Sequence, residues 1–200
     1  MREVLERRQN DLAVVIENVH DPHNASAILR SADGFAAGSV HLLYTQESFP
    51  EISRSVAAYT DRWTRLERHD SVSACVDALR AERLRIIATN VDEEARGYLE
   101  IDWTQPAALV VGNEHRGCSD ELLAAADEHV LIPMAGFAQS FNVSVATAVI
   151  LAEAARQRLE AGMLEPAWSE AKQELLEHWI AREAARELRQ PPPARDGATS

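Results

Sequence analysis

Asn24 and Arg30, six positions apart, are the first residues in this chain whose types and spacing suggest chemistry. Asn24 ends the polar stretch ENVHDPHN and precedes ASAILRSADGFAA. An Asn at the start of a helix either caps it or binds an anion beside the free N–H groups. Arg30 sits amid Ala27, Ile28, Leu29 and Ala32. A guanidinium there either faces solvent or pairs with a carboxylate or phosphate. A second stretch, Gly112-Asn-Glu-His-Arg-Gly117, brackets a charged turn with glycines. Glycine lets a ligand approach the backbone closely, but the spacing is neither a dinucleotide fingerprint nor a P-loop. Cys118 follows with no base beside it, so it reads as a buried thiol rather than a nucleophile. A third stretch, Ile132-Pro-Met-Ala-Gly136 and then Gln139-Ser-Phe-Asn-Val-Ser144, starts apolar and ends in hydroxyls and amides. That mixture suits a neutral heterocycle held by backbone groups, although Ser140 and Asn142 serve equally well as helix caps. His20 and His23 are spaced like metal ligands, but no second pair lies near them, and no metal is expected.

The elements that position these loops follow from hydrophobic pattern. LAVVI (12–16), SVHLLY (39–44), RIIAT (85–89), AALVVG (107–112) and HVLIP are apolar runs that read as buried strands. Helical stretches alternate with them: one after Asn24, SVSACVDALRAERL, DELLAAAD, and a long helix from about 142 to 159. The alternation predicts an α/β sandwich with a parallel sheet. In such a sheet, ligands bind beyond the carboxyl ends of the strands, where all three stretches fall. The first ten residues read as a short charged helix. The main domain is expected over 1–160 and a helical extension over 161–189, set off by Gly162 and Pro166. Leu175, Leu176, Trp179 and Ile180 form an apolar stripe on its helix. Residues 190–200, PPPARDGATS, read as a disordered tail.

The chain has 200 residues, 46% hydrophobic and 26% charged, enough for a self-sufficient core. No apolar run approaches a membrane span, and MREVLERRQN lacks the apolar core of a secretion signal. Two cysteines suit a reducing cytoplasm and exclude a Cys-rich zinc ribbon. The formal charge of -12 argues against nonspecific coating of nucleic acid. It does not exclude an RNA enzyme, because local charge decides contact. Nineteen of the 20 basic side chains are Arg, with Lys172 alone as Lys.

Three segments in this order, ENVHDPHNASAILRSADGFA, ALVVGNEHRGCSDELL and LIPMAGFAQSFNVSVATAVILAEA, resemble the motifs of the SpoU/TrmH family of RNA 2'-O-ribose methyltransferases. That family belongs to the SPOUT class. The resemblance spans roughly residues 1–185 and is strongest to members acting on guanosine 18 of the tRNA D-loop. It implies S-adenosylmethionine as methyl donor, tRNA as substrate, a homodimer, no metal, and a C-terminal deep trefoil (α/β) knot. Periodicity alone would give an unknotted sheet. Carried over residue by residue, it assigns catalysis to Asn24, Arg30, Glu114, Ser140 and Asn142. Cofactor contact falls on Thr89, Gly112, Ile132 and Phe141, where Phe141 replaces the family's usual Leu. Glu114 is expected to fix Arg30 or its own loop. RNA contact is expected from Arg54, Arg62, Arg65 and Arg68, a basic patch interrupted by Asp61 and Glu67, and from Arg2, Arg7 and Arg8. The alternatives are a 23S rRNA 2'-O-methyltransferase of the same family or a non-catalytic RNA-binding protein on the same fold. Only about eleven residues precede the first apolar run, which favours the tRNA type over rRNA enzymes with an added N-terminal domain.

Overall fold

The computed structural model describes residues 1–47 and 64–187. Two compact units emerge: residues 7–165, and Met1–Glu6 with the chain from Pro166 on. The larger unit is built on a seven-stranded sheet ordered β3-β2-β1-β6-β4-β7-β5, parallel throughout. Its strands are β1 Gln9–Glu17, β2 Ala37–Leu43, β3 Arg65–His69, β4 Arg85–Thr89, β5 Arg96–Gly97, β6 Ala107–Val111 and β7 Glu128–Leu131. Its helices among the described residues are α2 Pro22–Gly34, α3 Val72–Ala81, α4 Asp120–Ala125 and α5 Val143–Glu160; α1 Arg2–Glu6 and α6 Glu170–Glu187 belong to the smaller unit.

The continuous apolar runs arise because both faces of the central strands are covered. On β1, Leu12, Val14 and Ile16 enter a layer with Ile28, Leu29, Ile150 and Leu151 of α2 and α5. Ala13 and Val15 enter the opposite layer with Cys75, Leu79 and Leu122 of α3 and α4. β6 alternates in the same way, with Leu109 on one side and Val110 on the other. Placing β6 between β1 and β4 brings the carboxyl ends of β1, β6, β4 and β7 side by side. That is where an open α/β sheet forms its crevice.

Arg158, fully buried on α5, pins this helix to the far end of the sheet. It reaches Asp11 Oδ1 at 2.7 Å and donates to the carbonyls of Asp11, Trp103 and Gln105 and to Gln9 Oε1. A charge this deep persists only because its donors find so many acceptors.

In the smaller unit, Lys172 is almost fully buried and donates to the carbonyls of Glu6 and Ala167, which holds α6 to the end of α1. Burial, partly opposed by the Glu6 charge, pulls its ammonium below the ordinary lysine value. Of the apolar stripe, Trp179 is buried and Ile180 is exposed. Among the described residues no helix is long and apolar enough to cross a membrane. The tail 190–200 lies outside the described residues.

Candidate active site

The chain leaves β1 through Asn18, whose φ of 48° lies in the left-handed region that Asn tolerates better than most side chains. Its side-chain oxygen accepts from the backbone N–H groups of Thr45, Gln46 and Glu47, so the exits of β1 and β2 are tied together. Helix α2 then begins at Pro22, capped by Asp21, whose carboxylate accepts from the His23 N–H at 2.8 Å. Asn24, expected as a possible cap, is the third residue of the helix instead. Proline fits the first helical position because no partner is needed for its missing N–H. This moves the cap upstream and leaves the Asn24 side chain free to reach across loops.

Asn24 Nδ2 donates to Glu114 Oε1 at 2.8 Å, and Asn24 Oδ1 accepts from Asn142 Nδ2 at 3.0 Å. Glu114 also accepts from the backbone N–H groups of His20 (2.9 Å) and Asp21 (3.1 Å). Burial would raise this carboxyl; the hydrogen bonds from Asn24, His20 and Asp21 outweigh it and hold it below the ordinary glutamate value. Glu114 therefore organises the β1–α2 loop, and no hydrogen bond or ion pair links it to Arg30 among the described residues. Asn142 combines both roles open to it. It caps α5, accepting from Ser144 N at 2.9 Å and Ser144 Oγ at 2.6 Å, while its amide reaches Asn24.

The turn carrying Glu114 is closed by reciprocal backbone bonds between Asn113 and Gly117, at 3.0 and 2.9 Å. A Cβ on Gly112 would collide with the backbone of Gly117 and Cys118, so glycine is required by close packing here. Gly117 takes a φ of 71° to complete the turn. Asn113 folds its oxygen over the His115 and Arg116 N–H groups and donates to the Asn18 carbonyl at 2.8 Å.

Beside these loops lies a cavity of about 600 Å³. Thr89, Gly112, Ile132 and Phe141, all expected as cofactor contacts, line it together with Ser140, Glu114 and Asn142. Phe141 is half-exposed and forms part of this wall. Cys118 is buried against Thr89, with the Thr89 oxygen 3.7 Å from its sulfur. Burial, with the Glu17 charge, pushes its thiol up to about 12, the state of an inert core cysteine.

Arg30 is placed elsewhere. It is exposed in a separate groove between α2 and α5, lined also by His23, Ser31, Ser144 and Val145. Among the described residues it has no hydrogen-bond or ion-pair partner. Sequence reading missed Glu47, whose carboxylate bridges Arg116 Nη2 at 2.8 Å and His20 Nδ1 at 3.1 Å. Those two contacts hold it below the ordinary value, the Arg116 bond first.

The basic side chains separate by surroundings. Arg65 is ion-paired with Glu67 (2.8 Å) and with Glu82. Arg68 is exposed on β3, and Arg7 is exposed at the start of the larger unit. Arg2 pairs with Glu6 and lies over the Trp168 ring at 4.3 Å. Arg8, expected on the RNA face, is instead buried, donating to Asp33 at 2.8 Å and to the Ala37 carbonyl at 3.1 Å. It joins the end of α2 to the start of β2. Arg54 and Arg62 lie outside the described residues.

Comparison with known proteins agrees with this geometry. The SpoU rRNA Methylase family matches residues 11–152. The tRNA (guanosine(18)-2'-O)-methyltransferase of Thermus thermophilus is 41% identical over 187 residues, 91% of this chain and 94% of that protein. The crystal structure of the Aquifex aeolicus TrmH/SpoU tRNA modifying enzyme superposes with a TM-score of 0.84 at 38% identity, covering 91% of this chain and 93% of that one. The SpoU methyltransferase AviRb from Streptomyces viridochromogenes in complex with AdoMet gives 0.66 at 31% identity, over 76% of this chain and 59% of that one. With the matched region spanning all three loops that meet at the cavity, the chain belongs to the SpoU methylase family.

Proposed function

We propose that this protein methylates the ribose 2'-oxygen of guanosine 18 in the tRNA D-loop, with S-adenosylmethionine as donor. The observation that carries the reading is the joining of Asn24, Glu114 and Asn142 from three loops at the edge of one cavity. The likeness to a tRNA guanosine-18 enzyme along 94% of its length favours the substrate over rRNA.

The residues present fit the donor. The volume lies within the usual range of small-molecule sites, and the close approach of backbone at Gly112 suits a ligand held by main-chain groups. Thr89, Gly112, Ile132 and Phe141 would hold it. When bound, it supplies an electrophilic methyl group on a sulfonium. The chain's own task is then orientation and charge. Asn24 and Asn142 fix the loops against which the ribose lies, Ser140 presents a hydroxyl at the wall, and Glu114 holds Asn24. Orientation of this kind supplies much of the rate in a displacement. A guanidinium is a poor base and a good partner for phosphate and oxyanions, so Arg30 acts as a phosphate clamp and stabiliser of the developing 2'-oxyanion.

In one chain Arg30 faces a different groove from the cavity. A homodimer meeting across α2 and α5 would bring Arg30 of one copy to the cavity of the other. Ala148 and Ala152, beside exposed Val145, allow close approach of a second helix. The reading extends to the chain path, with the segments after β6 forming the family's knot, and to tRNA contact by Arg2, Arg7, Arg65 and Arg68 together with Arg54 and Arg62.

The test is purified protein, labelled cofactor, and unmodified tRNA and ribosomal RNA offered separately. Label is expected on a D-loop guanosine ribose. Label confined to ribosomal RNA, or placed on a base, overturns the reading.

A further inference from the structure

On the opposite face of the sheet from α2 and α5, three side chains that the methyl-transfer reading does not use converge beneath α3. His41 comes from β2, His69 ends β3, and Cys75 lies on the second turn of α3. His41 and Cys75 are fully buried. One ligand atom from each of the three lies within 4.8 Å of the others. We propose that His41, His69 and Cys75 form a binding site for a divalent transition-metal ion of the zinc type, with Glu67 alongside.

The distances carry the proposal. His41 Nδ1 and His69 Nε2 are 3.0 Å apart, and the two ring centroids are separated by 5.2 Å with the rings tilted by 9°. Two imidazoles sharing a tetrahedral zinc, with Zn–N bonds of about 2.0–2.1 Å, have nitrogens ~3.3 Å and centroids roughly 5 Å apart. The two nitrogens now share a hydrogen bond, so a metal between them requires the pair to open by a few tenths of an ångström and the rings to turn until both nitrogens face one point. The sulfur closes on the same point by a side-chain adjustment, to a Zn–S bond of about 2.3 Å. Strand register places Glu67 directly opposite His41 on this face, with Oε2 3.8 Å from Nδ1.

Two further features mark a ligand site rather than a merely packed pair. Ser39 Oγ lies 3.1 Å from His41 Nε2. A partner on the distal nitrogen is what fixes the tautomer and orientation of a metal-bound imidazole. Cys75 has no hydrogen-bond partner among the described residues, although it sits beside two imidazoles. A thiolate would offset part of the charge of a divalent cation, and Glu67, which also pairs with Arg65 at 2.8 Å, lies beside it.

Binding breaks the Cys75 S–H bond, forms an S–metal bond and releases one proton to water. Such an ion would staple edge strand β3, with Arg65 and Arg68, to β2 and α3.

The probe is Co2+ added to the full-length protein after treatment with a chelator. One equivalent should give tetrahedral d–d absorption and a thiolate-to-cobalt charge-transfer band, both displaced by Zn2+, and Zn2+ should raise the Tm. Cys75→Ala, a small change in an apolar layer, should remove the charge-transfer band. His69→Ala, at a half-buried position, should weaken binding by about a hundredfold or more, beyond the usual loss from an outer-shell change. Cys118→Ala and the pair His20→Ala with His23→Ala should leave both bands intact. Absence of a stoichiometric band in the wild type overturns the proposal. So does a band that survives Cys75→Ala or vanishes in Cys118→Ala. These readouts do not depend on methyl transfer, so they stand apart from the outcome of the tRNA assay.

Discussion

The Asn142 amide donates to the Asn24 side-chain oxygen across 3.0 Å, although the two residues are 118 positions apart. The bond joins the first turn of α2 to the cap of α5. Since Glu114 holds the other end of the Asn24 side chain, the three loops form one hydrogen-bonded unit. Perturbing a single member should be felt at the whole cavity.

Glu114→Gln is the direct test of that unit. A glutamine offers one acceptor oxygen where the carboxylate uses two, and its NH2 would face an N–H donor. We expect a loss of about 1–3 kcal/mol in stability from the unmet donors. Methyl transfer should fall by about a hundredfold through misplacement of the loops. The pH arm has a definite sign. The folded-state value of Glu114 is depressed, so its contribution is complete above the ordinary glutamate value and is lost as pH falls through the depressed one. Denaturant melts should show the wild-type advantage over the variant at neutral pH and its shrinkage in acid. An advantage that does not change with pH would remove the carboxylate from this role.

Much of the sheet is legible in the sequence because β1, β2, β4 and β6 are covered on both faces and therefore read as unbroken apolar runs. β3 is harder to read, since RLERH is an edge strand whose polar residues pair with neighbours such as Glu82. β5 has two residues and no pattern at all. The Asn24 cap fails because Asp21 and Asn24 are both good caps by type, and the position of Pro22 decides between them. Arg8 misleads because charge alone does not reveal that Asp33 and the Ala37 carbonyl wait beside it. His41, His69 and Cys75 have no recognisable spacing, since β2, β3 and α3 meet only in the folded sheet.

Gly112→Ala should close the cavity from one side. The added methyl meets the backbone of Gly117 and Cys118, atoms that cannot rotate away. Either the Asn113–Gly117 turn opens or the wall shifts. Calorimetric titration with S-adenosylmethionine should show binding weakened by tenfold or more, with a stability loss of roughly 1–3 kcal/mol from overpacking. Unaltered affinity would place the donor away from this wall.

Arg7 and Arg8 are neighbours with opposite environments, which makes them a paired test. Arg7→Ala should lower the slope of tRNA affinity against salt by about one unit while leaving the melting curve unchanged. Arg8→Ala should do the reverse. Its guanidinium is buried against Asp33, so removing it leaves a carboxylate short of its partner and α2 loosened from β2. A stability loss of about 2–3 kcal/mol is expected, as for hydrogen bonds to charged groups. A salt slope that responds to Arg8 and not to Arg7 would reverse the assignment.

The separation of Arg30 from the cavity gives the last prediction its form. If one functional site takes Arg30 from one copy and Asn142 from the other, Arg30→Ala and Asn142→Ala should each yield folded, dimeric and inactive protein. Neither residue belongs to the buried core: Arg30 is exposed on α2, and Asn142 is exposed at the α5 cap. Asn142→Ala also removes a cap and should cost about 1 kcal/mol, so folding is checked by thermal melts before activity is compared. Mixed dimers of the two variants would hold one intact site and one doubly altered site. Random pairing makes about half of the dimers mixed, so co-expression should restore roughly a quarter of wild-type activity. The assay uses saturating tRNA, so that weakened binding does not hide an intact site. Mixed dimers confirmed by mass yet without activity would put both residues in the same chain's site. Arg30 would then have to reach the cavity by a rearrangement of α2, and the composite site would be wrong.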